Sequence, residues 1–166
     1  MLAVEAAMRQ YAGRLEPTRV EIWGLAGLLH DFDWEIHPTL ENHPQTGQPI
    51  LEQRGVPEEV RRAIMSHANH TKVPRQSLLE KGLYACDEIT GLITACALVR
   101  PSRSLHDLTV DSVKKKWGAK QFAAGANREE IAESAEAFGV ELWAHVESVI
   151  EAMRSIAADL GLNGPG

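Results

Sequence analysis

The strongest constraint on what this chain can fold into is the spacing of its apolar residues. They recur at intervals of three and four from end to end and nowhere alternate one by one with polar residues. A period near 3.6 gathers such residues on one face of a helix, whereas a half-buried strand needs a period of two. Helix punctuation falls between the periodic segments, so the chain reads as all-α.

The segments can be placed one after another. Met1 to about Tyr11 repeats Leu2 with Ala6 and Val4 with Met8, and a second helix follows Thr18, carries Ile22, Leu25, Leu28 and Leu29, and ends near Asp31. Pro44 and Pro57 each suit the first position of a helix, with Gly55 as a stop between them. Val60, Ile64 and His67 then share one face, which turns His67 inward. Ser77 and Glu80 form a capping box for a long helix to about Val99; its stripe of Leu79, Leu83, Cys86 and Thr90 runs beside Asp87, which follows Leu83 by four and faces inward too. Further on, Gly118 stops a short helix, Asn127 caps another, Gly139 ends that one, and a last helix runs from Val140 to Leu160 before an Asn-Gly-Pro-Gly tail.

At 166 residues with 44% apolar side chains, the chain can close one sizeable core. It reads as a single-domain helical bundle, residues 1–166, with its chemistry in about 1–100 and a helical extension over 105–160. The formal charge of -6 repels polyanions, so nucleic acid is disfavoured as a partner. The longest uncharged run, Ile89 to Val99, falls far short of the roughly 20 apolar residues that cross a bilayer. Glu5 stands where a signal peptide would be basic, and a cytoplasmic, membrane-free protein is expected. Cys86 and Cys96, ten residues apart on one helix and so roughly 15 Å apart, cannot pair, and they read as small core residues.

Five of the seven histidines fall between His30 and His70, beside Asp31 and ahead of Asp87. Imidazole and carboxylate together, without thiolate, suit a divalent Fe, Mn, Co, Ni or Zn ion with open positions better than a closed structural zinc. His30 and Asp31 lie where the backbone leaves its helix, so successive side chains can diverge and still reach one ion. Asp87, set in an apolar stripe, needs a cation or hydrogen-bond donors as a partner. Plainer readings exist: Asp31 paired with an arginine, His30 as core, and His43 as a surface cap before Pro44. His70 falls in the loop before Lys72 and Pro74 and is left out of the ligand set.

Taken together, His30-Asp31, the turn His43-Pro44-Gln45-Thr46-Gly47, His67 and Asp87 resemble the HD superfamily of metal-dependent phosphohydrolases, over roughly residues 1–100. The resemblance implies a helical fold and one or two divalent transition metals. His30, Asp31 and Asp87 would hold the first, and Asp31 would bridge to a second held by His43 and His67. Asp31 would also orient the attacking water, and a small phosphorylated molecule is the implied substrate. The His43 turn resembles the two-metal branches, including HD-GYP proteins and dinucleoside polyphosphate hydrolases, but the Gly-Tyr-Pro sequence is absent. The family's first histidine, placed in the first helix, has no counterpart ahead of His30; the uncapped start reads as lying inside a longer helix that carries it. Two alternatives stay open: a metal-binding or ligand-binding protein without turnover, and a diiron oxygenase.

Other residues read blandly. Asp33 and Glu88 are acids close enough to take a proton but most simply surface groups. His37, His106 and His145 lack partner spacing and read as solvent-facing or on a helix surface. Lys114-Lys115-Lys116 is a solvated face. Trp23, Trp117 and Trp143 read as core, and Trp34, close behind the His-Asp pair, as an ordinary position near enough to line a pocket.

Overall fold

A computed structural model describes residues 1–119 and 121–164, so the last two residues of the tail, Pro165 and Gly166, lie outside it. Among the described residues there are eight α-helices: α1 (Leu2–Leu15), α2 (Val20–Leu29), α3 (Gln48–Gln53), α4 (Glu58–His67), α5 (Leu78–Leu98), α6 (Val110–Trp117), α7 (Arg128–Phe138) and α8 (Leu142–Ser155). Short 3-10 turns precede α2 and follow α4, and the described residues contain no strand beyond an isolated bridge between Ser104 and Asn163. The all-α reading holds. The chain divides into two compact units, Met1–Tyr84 and Ala85–Gly166, with the boundary inside α5. No helix among the described residues is long and apolar enough to cross a membrane.

In the first unit, α1 and α2 pack closely and antiparallel, because Arg9 lies over Gly24 while Glu5 and Val4 lie over Gly27. A methyl group on Gly27 would come within 2.8 Å of the Glu5 Cα, so only glycine lets these two backbones approach. Val4, Ala7, Met8, Tyr11 and Ala12 of α1 and Trp23 and Ala26 of α2 are buried. The fully buried Trp23 keeps its indole N–H satisfied by donating to Glu16 at 2.8 Å. Helix α4 packs on α2 and buries Val60, Ala63, Ile64 and His67, the face its periodicity marks. The capping box of α5 forms: Ser77 N–H donates to the Glu80 carboxylate at 3.0 Å and Glu80 N–H to the Ser77 hydroxyl at 3.2 Å. Glu80 is buried and also receives Arg62 at 2.8 Å.

Pro44 does not open a helix. The His43–Pro44 peptide is cis, residues 41–47 run as turns, and α3 starts at Gln48 with Pro49 in its first turn, where a missing N–H costs nothing. Gly55 does end α3's segment in the left-handed region, at φ +72°.

In the second unit the sequence punctuation is realised almost residue by residue. Thr109 caps α6 and Gly118 closes it; the Asn127 side chain accepts from Glu129 and Glu130 N–H at 3.1 and 3.3 Å; Gly139 ends α7 at φ +82°. Helix α8 is shorter than its apolar pattern suggests, because Glu141 caps it at Leu142 and the chain turns after Ser155 to return through Gly161 at φ +64°. Leu162 then donates to Ala157 O and accepts from Leu105 N–H, both at 2.8 Å. Cys86 and Cys96 are buried free thiols; burial pushes both up from the usual thiol range, and the neighbouring Asp87 charge pushes Cys86 further. Lys114, Lys115 and Lys116 are exposed.

Two expectations for this unit are corrected. His145 is fully buried rather than on a surface: it stands one turn before Val149 on the inward face of α8, and its Nε2–H donates to Ala85 O at 2.8 Å. Trp117 and Trp143 are only half-buried, meeting edge to face at 5.2 Å with Lys114 over the Trp143 ring, because α6 is two turns long and buries just Val113.

Candidate metal centre

His30 and His67 sit at the C-terminal ends of α2 and α4, where the last carbonyls have no helical partner. Each imidazole folds back onto the carbonyl three residues earlier. His30 Nδ1–H donates to Gly27 O at 2.8 Å and His67 Nδ1–H to Ile64 O at 2.5 Å. With Nδ1 used as the donor, the neutral ring keeps an acceptor lone pair on Nε2. His43 arrives from the turn before α3 and donates Nδ1–H to Asp33 Oδ1 at 2.8 Å. All three rings are buried.

Their Nε2 atoms converge on one carboxylate. Asp31 Oδ1 lies 3.2 Å from His43 Nε2 and 3.6 Å from His67 Nε2, while Oδ2 lies 3.4 Å from His30 Nε2. His43 Nε2 and His67 Nε2 are 3.4 Å apart, and the ring centroids of His30 and His43 are each 5.3 Å from that of His67. Lone pairs aimed at one another and at a carboxylate repel unless positive charge lies between them. The Asp31 carboxyl lies well below the usual carboxylate range: burial raises it, but hydrogen bonds and charge from His30 and His67, when those rings carry a second proton, lower it by more. Asp31, His43 and His67 each bring a ligand atom to within 4.8 Å of the others, and imidazole nitrogen with carboxylate oxygen is a donor set that fits a divalent first-row ion. The carboxylate remains partly exposed, so the cluster is open on one side.

The surroundings hold these side chains in place. Asp33 is not a surface acid: the tight turns of residues 31–37, with Ile36 and His37 N–H donating back to Asp33 O, tuck its side chain inside, where it is fully buried. His70 Nε2–H donates to His43 O at 2.7 Å, so it braces the turn that carries His43. Arg75 donates to His67 O at 3.1 Å and to Asn69 Oδ1 at 2.7 Å, with its guanidinium 3.4 Å over the Tyr84 ring, and steadies the end of α4. The Trp34 ring stands edge-on to His43 at 4.9 Å, yet the residue is 41% exposed, which puts the indole at the rim of the cluster. Asp87 lies on α5, three residues past the unit boundary, and both it and Glu88 are half-buried. Nothing in the apolar pattern singles out Arg75; the nearness of Asp33 to Asp31 and of His70 to His67 was the only sequence signal for those two.

The fold is all-helical among the described residues, and His30, Asp31 and His67 at helix ends with His43 from the turn before α3 form a set of side chains that could hold a metal ion. More narrowly, the family model for the HD domain matches residues 1–92 of the 166, a stretch that includes all five of His30, Asp31, His43, His67 and Asp87, and the chain belongs to the HD domain family. That family is one of metal-dependent hydrolases. The searches of curated proteins and of solved structures return no match.

Proposed function

We propose that the chain is a metal-dependent phosphohydrolase that cleaves a small phosphoester or nucleotide-like substrate with a metal-activated water. The observation that carries this reading is the division of labour at Asp31, whose Oδ2 faces His30 while its Oδ1 faces His43 and His67. That is the arrangement of a carboxylate shared between two ligand groups. His30 and Asp31, with Asp87 added from the family resemblance, would hold one ion, and Asp31, His43 and His67 a second. A divalent metal bound there supplies Lewis acidity and a water acidic enough to ionise near neutral pH.

The chain's own residues do the rest. Their Nδ1 protons are given away to Gly27 O, Asp33 and Ile64 O, so the three rings present Nε2 and need no rearrangement to act as ligands. The partly exposed Asp31 carboxylate can accept a hydrogen bond from the attacking water and orient it. Trp34 walls one side of the opening beside His43. The net charge of -6 favours a small substrate over a long polyanion.

The test is phosphate release from p-nitrophenyl phosphate, bis-p-nitrophenyl phosphate and a nucleotide panel by metal-free chain reconstituted separately with Mn, Co, Fe, Ni or Zn. Turnover that requires metal and disappears in Asp31→Ala supports the proposal. A chain that binds metal and releases no phosphate with any of them contradicts it in favour of binding without turnover, and a mixed-valent iron signal in that case points to oxygenase chemistry.

A further inference from the structure

Of the three imidazoles facing Asp31, two seat their Nδ1 protons on neutral backbone carbonyls, and His43 alone seats its proton on a carboxylate. The reason lies in the backbone. His30 and His67 close helices, where unpaired carbonyls stand ready three residues back, whereas His43 lies in an irregular turn outside any helix. A side chain takes the carbonyl's part there.

That side chain is held at a cost. Asp33 is fully buried, and its second oxygen, Oδ2, has no hydrogen-bond partner in the protein. A buried carboxylate with an unpartnered oxygen is disfavoured relative to a neutral side chain, so its place needs a reason beyond packing. Gly47 makes room for it: a Cβ at that position would fall 2.7 Å from Asp33 Oδ2 and 2.8 Å from its Cγ. The Gly47 backbone has an ordinary φ of -73°, so what glycine provides there is space, not conformational freedom.

We infer that Asp33 is a positioning residue of the metal centre, fixing His43 in the tautomer and orientation that aim Nε2 at Asp31 and His67, and that Gly47 is kept small to admit it. The inference rests on the reading of the cluster as a metal centre. A histidine that donates its far N–H to a carboxylate is locked in ring orientation as a metal ligand. Here the lock is threefold, with Asp33 on Nδ1, Trp34 against the ring and His70 on the His43 carbonyl. An amide in place of the carboxylate can present its NH2 to Nδ1, which moves the ring's proton to Nε2 and points it at the ligand site.

The test compares wild type with Asp33→Asn, Gly47→Ala and the control Glu35→Gln, an exposed carboxylate two residues further along. Mn affinity is measured by chelator competition, and the His43 tautomer by 15N chemical shifts in the metal-free chain. Asp33→Asn is expected to weaken Mn binding by about 10–100-fold and to shift the His43 proton from Nδ1 to Nε2, with Gly47→Ala changing both in the same direction and Glu35→Gln changing neither. Unchanged Mn affinity in a folded Asp33→Asn chain overturns the inference, and so does a His43 that already carries its proton on Nε2 in wild type. The tautomer is read without metal, so a wild type that binds no Mn counts against the metal centre and still leaves the Asp33–His43 lock decided by its own measurement.

Discussion

His67 and His145 are both buried histidines on helices, one in each unit, and they solve the same problem in opposite ways. In the second unit His145 points its Nε2–H at a backbone carbonyl, and Ser134 likewise donates to Ile131 O, so these buried polar groups end on the main chain. In the first unit the imidazoles use the main chain, or Asp33, only for Nδ1 and aim the other nitrogen at each other and at Asp31. The second nitrogen of each first-unit ring faces other acceptors, and an acceptor facing acceptors calls for a cation between them. Burial and residue type alone do not separate a ligand from a core histidine.

The largest expected effect separates the residues assigned to the metal centre from the buried histidine His145. Asp31→Ala should lower kcat/KM more than about 1000-fold, about 4 kcal/mol of transition-state stabilisation, and release most bound metal. Asp87→Ala should also lose most metal, and His145→Ala should keep it; equal metal retention in all three variants breaks the comparison. The second effect is on stability and runs the other way. His145→Ala removes a buried side-chain donor to Ala85 O together with the imidazole that packs there, and should cost about 1–3 kcal/mol in denaturant unfolding, with metal content unchanged. Gly27→Ala should cost a similar ~1–3 kcal/mol by forcing α1 off α2, since its new methyl meets backbone rather than a movable side chain. Asn127→Ala should cost about 1 kcal/mol by removing the cap of α7, and it sharpens the contrast by perturbing the second unit with no effect on metal.

The smallest effect is a pH dependence. Burial depresses His145 below the ordinary histidine value, the hydrogen bond to Ala85 opposing it in part. The unfolded chain therefore takes up a proton near pH 6.5 that the folded chain resists, so this contribution is fully present above about pH 6.5 and is lost as pH falls below it toward the folded value. Metal-free wild type should lose stability more steeply than His145→Gln over that window. Identical slopes would show that His145 does not resist protonation.

Much of the fold was legible in the sequence for physical reasons. Ser77 with Glu80, Asn127 and Gly139 act locally, through neighbours in the chain, so their roles survive without tertiary information. Pro44 reads as a helix opener by composition, but a turn built by residues 39–47 holds it outside α3, which starts at Gln48. The inward turn of His67 followed from its spacing to Ile64 and Val60, but its tautomer depends on a carbonyl that no spacing displays. His145 looked solitary for the same reason, its partner being main chain rather than a side chain. Asp33 was hidden because the loop after α2 is irregular, so neither helical nor strand periodicity tells which way its side chain faces.

The central claim is that the nitrogens and oxygens around Asp31 are arranged for a cation. Elemental analysis of the chain, purified without chelator and without a metal-binding tag, tests it most directly. One or two equivalents of Fe, Mn, Co, Ni or Zn per chain, lost in Asp31→Ala, is the predicted result. A folded wild-type chain that carries no transition metal, and takes up none when dialysed against each ion in turn, would contradict it.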